Sequence, residues 1–363
     1  MTEKLTIGFV RRGFSSGGGA EAYLARLAAG VAAAGHRVSL FTAAEWPSEE
    51  WSFGPIERVK AASPIAFADE LEKVARAKCD VLFSLERIWR CDVYRAGDGV
   101  HRAWLERRAQ FAGPWQKLSR FLNRKHSAAL ALEESLFASR GARRVIANSR
   151  MVKEEIVRFY GYPAENIDVI YNGVPLEMFR DTPDRAKTRE TLGVAEDEIV
   201  VLFAGSGWER KGLRFALEAI EAQGATMKLL VAGRGEPEKF SSSQAKFLGV
   251  VREMPALYRA VDIFLLPTIY DPFSNACLEA FAAGLPVITT KANGFSEIIE
   301  SGRHGTIVES AADVGAMISA LDFWSDASLR ERVRLENLTL AAQFDISRNA
   351  GQTLQAIMSI AAK

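Results

Sequence analysis

Short apolar runs rich in β-branched residues recur along the chain, each followed by a stretch of helical apolar spacing, and the alternation restarts in the second half. In the first half the runs fall at residues 5–10, 36–42, 56–60, 80–85 and 144–147, with helical patterns at 20–34, 69–77 and 115–139. Strands joined through helices lie parallel, so this half predicts a doubly wound sheet with helices on its faces. After Ile170-Tyr171-Asn172-Gly173-Val174-Pro175 a polar stretch carrying Pro183 reads as a linker. The pattern then resumes, with β runs at 199–204, 227–232, 246–248, 263–266 and 286–289 and helical patterns at 213–222, 251–260 and 275–283. The expected architecture is α/β: two doubly wound Rossmann-like domains, residues 1–175 and 176–345, with a helix at about 346–363 crossing back to the first. Ligands in such sheets bind outside the carboxyl ends of the strands, which predicts a site in the cleft between the two.

The 363 residues and 48% hydrophobic content suit two full cores. A net charge of +1 excludes a polyelectrolyte signature, so no nucleic-acid partner is expected. The charge is unevenly spread. Arg102, Arg107, Arg108, Lys117, Arg120, Arg124 and Lys125 face only Glu106 between His101 and His126, a segment able to meet an anionic surface or simply to be solvated. Cys79, Cys91 and Cys277 form no C-x-x-C pair and, with four scattered histidines, suggest a reducing compartment and no metal. The N-terminus carries no signal-peptide pattern, and no uncharged stretch nears the roughly 18 to 20 apolar residues that span a bilayer, which predicts a cytoplasmic chain with at most peripheral membrane contact.

Three glycine-bearing or acidic motifs carry the chemistry. Gly17-Gly18-Gly19-Ala20-Glu21-Ala22 fits a G-x-G-x-x-A loop that lets backbone amides approach a phosphate. The second strand, however, ends Leu40-Phe41-Thr42 without the acid that a nicotinamide ribose needs, so no such cofactor is expected. Gly205-Ser206-Gly207-Trp208-Glu209-Arg210-Lys211-Gly212 places two adjacent cations at a strand's carboxyl end, where a guanidinium beside an ammonium suits a diphosphate. The sharpest signal is Asp271-Pro272-Phe273-Ser274-Asn275-Ala276-Cys277-Leu278-Glu279, running from loop into helix. One acid precedes the helix and the other lies just over a turn inside it. Open amides near Ser274, Asn275 and Ala276 would receive an anion between them. The alternative is that Asp271 caps the helix and Glu279 is a surface residue.

On these residues the chain resembles the retaining glycosyltransferases of family four, with the GT-B fold, over nearly its whole length. Gly18-Gly19-Ala20-Glu21 resembles the family's glycine loop; Asn148-Ser149 and Asn172-Gly173-Val174 resemble its end-of-domain pattern; Arg210-Lys211-Gly212 resembles its diphosphate clamp. Asp271 to Glu279, followed by Gly284-Leu285-Pro286-Val287, resembles its signature of two acids with seven residues between, here with Asp in place of the commoner Glu. The resemblance implies that Glu279 holds the ribose of a nucleotide sugar, Asp271 the sugar hydroxyls, and Arg210 with Lys211 the diphosphate. Gly18 and Gly19 would cover the phosphates, with Phe273, Ser274, Asn275 and Ala276 completing the donor site.

Arg95-Ala96-Gly97-Asp98-Gly99-Val100-His101 resembles a loop of bacterial lipopolysaccharide-core glucosyltransferases, which makes Asp98 the catalytic candidate, with an Asp-Gly turn as its plain alternative. The implied reaction is metal-independent, cofactor-free transfer of a hexose from a nucleotide sugar, UDP-glucose or similar, to a lipopolysaccharide-core or other cell-envelope glycan. Competing readings are a UDP-sugar 2-epimerase-like isomerase and a nucleotide-sugar-binding protein without turnover.

Overall fold

The computed structural model describes residues 4–14, 19–43, 46–47, 50–111, 124–180, 184–240 and 242–361. The chain forms two compact units, Met1–Tyr171 with Ser347–Lys363, and Asn172–Ile346. In the first, β1 (Thr6–Val10), β2 (Arg37–Thr42), β3 (Ile56–Arg58), β4 (Val81–Ser84), β5 (Cys91–Ala96), β6 (Ala142–Ala147) and β7 (Ile167–Val169) make a parallel sheet in the order β3-β2-β1-β4-β5-β6-β7. In the second, β8 (Ile199–Ala204), β9 (Met227–Ala232), β10 (Ala245–Gly249), β11 (Ile263–Leu266), β12 (Val287–Thr290) and β13 (Gly305–Val308) run parallel in the order β10-β9-β8-β11-β12-β13. Both are doubly wound sheets whose strand order reverses at one point, β1/β4 in the first and β8/β11 in the second.

The second unit's sheet is built on runs such as Ile199–Ala204, buried along nearly its whole length because helices cover both faces. In the first unit, Ile7, Phe9, Leu27, Leu40 and Phe83 form a core that also takes Ala356, Ile357 and Ile360 from the helix Ile346–Ala361. The Tyr23 hydroxyl shares a hydrogen bond of 2.9 Å with Thr353 of that helix.

β5, β7 and β13 are not announced by apolar periodicity. β5 reads Cys-Asp-Val-Tyr-Arg-Ala, yet all six residues are buried. Its charges find local partners. Asp92 accepts from the Leu82 amide at 2.8 Å and from Arg76 at 2.7 Å, while the Arg95 guanidinium lies 4.6 Å from the Tyr23 ring centroid. β7 and β13 have three and four residues, too short to show alternation. The helical pattern expected at 115–139 is present as Arg124–Glu133 followed by a wider turn at Glu134–Ala138, its first part lying outside the described residues.

Replacing Asp92 strands the Leu82 amide in the sheet, while its half-exposed arginine partners rehydrate. Asp92→Ala is therefore expected to lower the unfolding free energy by about 1–3 kcal/mol in a urea titration, with m unchanged. A loss within error of zero would contradict this account of β5.

Candidate functional site

In the second unit the site grows from the loops after β8 and β11, the two strands at the reversal of strand order. β8 runs into Gly205, and the chain passes through Ser206 and Gly207 into the single helical turn Trp208–Lys211. Trp208 is buried, donates its indole N–H to the Gly205 carbonyl at 3.0 Å, and packs on Phe247 with ring centroids 5.3 Å apart. Gly212 ends the turn at φ +79°, and a Cβ there would lie 1.9 Å from the Pro267 carbonyl oxygen. No side chain fits this conformation and this approach together. The approach lets the Arg210 carbonyl accept from the Ile269 amide at 2.9 Å and the Thr268 hydroxyl at 3.1 Å.

The two adjacent cations are not simply solvated. Arg210 is partly buried and donates to the Tyr270 carbonyl at 3.2 Å. Lys211 is 8% exposed, and its ammonium is paired with the carboxylate of Asp271, itself 5% exposed. The Asp271 backbone is fixed on both sides, its amide donating to Ala292 at 2.9 Å and its carbonyl accepting from Gly294 at 3.0 Å.

Ser274, not Asp271, caps the helix Asn275–Ala282, its hydroxyl accepting from the Cys277 amide at 3.3 Å. The Ser274 amide, expected to be open, instead donates to the Asn293 side-chain oxygen at 3.1 Å, an oxygen that also takes the Phe295 amide. Asn275 and Ala276 retain amides with no acceptor inside the helix. Phe273 is buried against Phe295, at 6.0 Å between centroids, so only its backbone is available to a ligand. Burial pushes the Cys277 thiol up to about 12 and keeps it protonated. Glu279 is partly buried and takes the Tyr258 hydroxyl at 2.9 Å. Burial raises its carboxyl above the usual carboxylate range, and the Tyr258 bond acts in the opposite direction.

In the first unit, β5 leads into a turn closed by the Gly99 amide on the Ala96 carbonyl at 3.1 Å, with Gly99 at φ +68°. Asp98 stands at its apex, its side chain 78% exposed. Arg87 holds the turn, donating to the Gly99 carbonyl at 2.8 Å with a guanidinium nitrogen 3.6 Å from Asp98. The helix His101–Gln110 begins after Val100, which offers no capping oxygen. Glu133 caps it from a distance: fully buried, it accepts from the His101 and Arg102 amides, from Arg87 at 2.9 Å and from the Tyr160 hydroxyl at 2.8 Å. Asn148 donates to the Gly97 carbonyl at 3.1 Å, so the Asn-Ser pair after β6 also fastens this turn.

Gly18 lies outside the described residues, and Gly19 opens the helix Gly19–Ala33. Of the basic segment, Arg107 pairs with Glu155 at 2.9 Å, while Arg102 and Arg108 lie over the Phe159 and Trp104 rings. Lys117 and Arg120 are outside the described residues, as are the side chains of Arg124 and Lys125. Tyr258, Asn293, Arg87 and Glu133 are the positioning residues that motif reading missed; each acts on a partner distant in sequence.

His101 Nε2 and His126 Nδ1 lie 3.0 Å apart, so one ring donates and the other accepts. Burial, then Arg87 and His126, lower the His101 pKa from 6.5 to about 4. The unfolded chain takes up this proton first, so His101 stabilises the fold above 6.5, and that contribution is lost as the pH falls towards about 4. An NMR titration of the imidazole signals should show His101 unchanged across the neutral range, with its inflection near 4; an inflection at 6.5 would contradict the burial argument.

Sequence and structure comparisons place the chain in a family. The family model for glycosyl transferases group 1 matches residues 198–324, and that for glycosyltransferase family 4 matches residues 17–178. A probable transglycosylase of Burkholderia thailandensis is 30% identical over 369 residues, covering 96% of each chain. An uncharacterized glycosyltransferase of Methanocaldococcus jannaschii is 29% identical over 177 residues, 44% of this chain and 45% of that one. A D-inositol 3-phosphate glycosyltransferase of Paenarthrobacter aurescens is 29% identical over 234 residues, 59% and 57% respectively. The matched region thus spans about half the length of the latter two relatives and nearly all of the first. Among solved structures, WaaG, a glycosyltransferase involved in lipopolysaccharide biosynthesis, superposes with a TM-score of 0.80 at 20% identity, over 97% of this chain and 99% of its own. Anabaena HepE in complex with UDP and glucose gives 0.76 at 21% identity, over 98% and 100%. With both family models matched in chain order and a full-length relative at this identity, the chain belongs to the family 4, group 1 glycosyltransferases and has their GT-B fold.

Proposed function

We propose that the chain transfers a hexose, glucose or a close relative, from a UDP-sugar to a lipopolysaccharide-core or other cell-envelope glycan, with retention of anomeric configuration and without a metal or cofactor. The observation that carries this reading is the cluster at the β8/β11 reversal: Arg210, the buried Lys211–Asp271 pair, and the open first turn of the helix Asn275–Ala282. Cations, a carboxylate and helix amides set side by side suit a ligand that joins a diphosphate to a hydroxyl-bearing sugar. HepE, of the same fold, carries UDP and glucose.

In this reading Glu279 takes the ribose, Arg210 and Lys211 the diphosphate, and Asp271 the sugar hydroxyls. Gly18, Gly19, Phe273, Asn275 and Ala276 contribute backbone, Ser274 holds the helix start through its cap, and Asp98 is the first unit's catalytic carboxylate. The acceptor hydroxyl oxygen bonds to the anomeric carbon on the face from which UDP departs. The bond from that carbon to the β-phosphate oxygen breaks, and the departing oxygen takes the acceptor's proton. Arg210 and Lys211 stabilise the charge that develops on the diphosphate. The absence of a capping duty for Asp271 supports its assignment to the sugar.

Incubation with UDP-[14C]glucose and core oligosaccharide, with EDTA present, should yield labelled glycan whose new linkage is α by NMR. As a carboxylate set against the positive charge that develops on the sugar, Asp98 stabilises the transition state, so Asp98→Asn is expected to lower kcat by about 10²–10³-fold with an unchanged melting temperature. Conversion of a UDP-sugar with no acceptor added, or an inverted product, would refute the assignment.

We further propose that the chain works in the cytoplasm, with the segment around residues 101–126 resting on an anionic membrane face. Each cation near such a surface is worth about 1 kcal/mol, so the double reversal Lys117→Glu with Arg120→Glu should cut binding to phosphatidylglycerol vesicles by about tenfold or more. Unchanged co-sedimentation would remove the membrane role and leave the transferase reading intact.

A further inference from the structure

We infer that Tyr258 is the residue through which the site tells a ribonucleotide donor from a 2′-deoxy one, because among the described residues its side chain is the one that bonds the Glu279 carboxylate; this rests on Glu279 being the ribose ligand. Tyr258 is fully buried on the helix Met254–Ala260, its ring 6.0 Å from Phe264 of β11 and 6.4 Å from Phe179. Its hydroxyl reaches the helix Asn275–Ala282 and donates to Glu279 Oε2 at 2.9 Å. Among the described residues no other side chain bonds Glu279, and Oε1 is left to a ligand.

The direction of that hydrogen bond is set by the surroundings. Burial and the neighbouring carboxylate hold the Tyr258 hydroxyl far above its ordinary pKa, so it stays protonated and can only donate to Glu279. A carboxylate anchored at one oxygen by a buried phenol presents the other at a single position. A flexible glutamate on the same helix would instead follow whichever polar group the ligand offered. Discrimination by a missing hydroxyl requires the first arrangement, since only a held acceptor is left unpaired when the hydroxyl is absent. Tyr258 is thus a positioning residue that never touches the ligand.

The test is calorimetric titration of UDP and 2′-deoxy-UDP into wild type and Tyr258→Phe. The variant removes one oxygen and keeps the ring that packs on Phe264 and Phe179, so the fold should survive, as a melting curve would check. A hydrogen bond to a charged group corresponds to about tenfold or more in affinity, so wild type should prefer UDP by that factor and Tyr258→Phe by about threefold or less. In a Glu279→Gln background the tyrosine change should leave the ratio where it is. The pH dependence should shift as well: losing the phenol donor raises the Glu279 carboxyl further, so the preference for UDP in Tyr258→Phe should fade at higher pH than in wild type. A Tyr258→Phe chain that keeps the wild-type ratio and pH profile would overturn the inference and leave the ribose assignment standing. A wild type with no preference for UDP over 2′-deoxy-UDP would overturn both.

Discussion

The candidate site of the second unit is organised around a buried ion pair, Lys211 with Asp271. Each partner has left water almost completely, and neither could stay there alone: removing one charge of such a pair costs about 3–5 kcal/mol, since the other remains buried and unpaired. That constraint fastens the loop after β8 to the loop after β11. Gly212 allows the two backbones to close, and the Arg210 carbonyl stitches them through Ile269 and Thr268. Asp271 in turn is tied to the loop after β12 through Ala292 and Gly294. Three neighbouring strand ends thereby share one rim, an arrangement that supports the proposed binding role of Lys211 and Asp271.

The first unit solves a similar problem with a different device. Glu133 is a fully buried carboxylate surrounded by donors, with Arg87 supplying the balancing charge and the backbone of His101 and Arg102 supplying amides that Val100 cannot cap. The Asp98 turn is held at Gly97 by Asn148 and at Gly99 by Arg87, while the Asp98 side chain itself projects into solvent. The fixed backbone of this turn supports the role proposed for Asp98.

Apolar strands with helices on both faces were legible in the sequence because continuous runs such as Ile199–Ala204 leave no other reading. β5 was not, because Asp92 and Arg95 interrupt its run and only the folded sheet supplies their partners. The same limit applies at the sites. Arg210, Lys211, Asp271 and Glu279 stand out by type and spacing, and Asp98 through the resemblance of its loop. What each bonds to does not. Sequence leaves a capping role for Asp271 as an alternative, which Ser274 fills instead, and the Ser274 amide that sequence leaves open is taken by Asn293, 19 residues away. Tyr258 lies 21 residues before Glu279, a separation across which no local periodicity operates. Local pattern names the candidate groups; the groups that hold them come from the packing of one loop on another.

A crystal structure of the chain with UDP-glucose tests the central claim most directly. The account predicts the diphosphate on Arg210 and Lys211, the ribose hydroxyls on Glu279 Oε1 and the glucose hydroxyls on Asp271. A nucleotide bound instead along the glycine loop before Gly19, with the Lys211–Asp271 pair untouched, would contradict it.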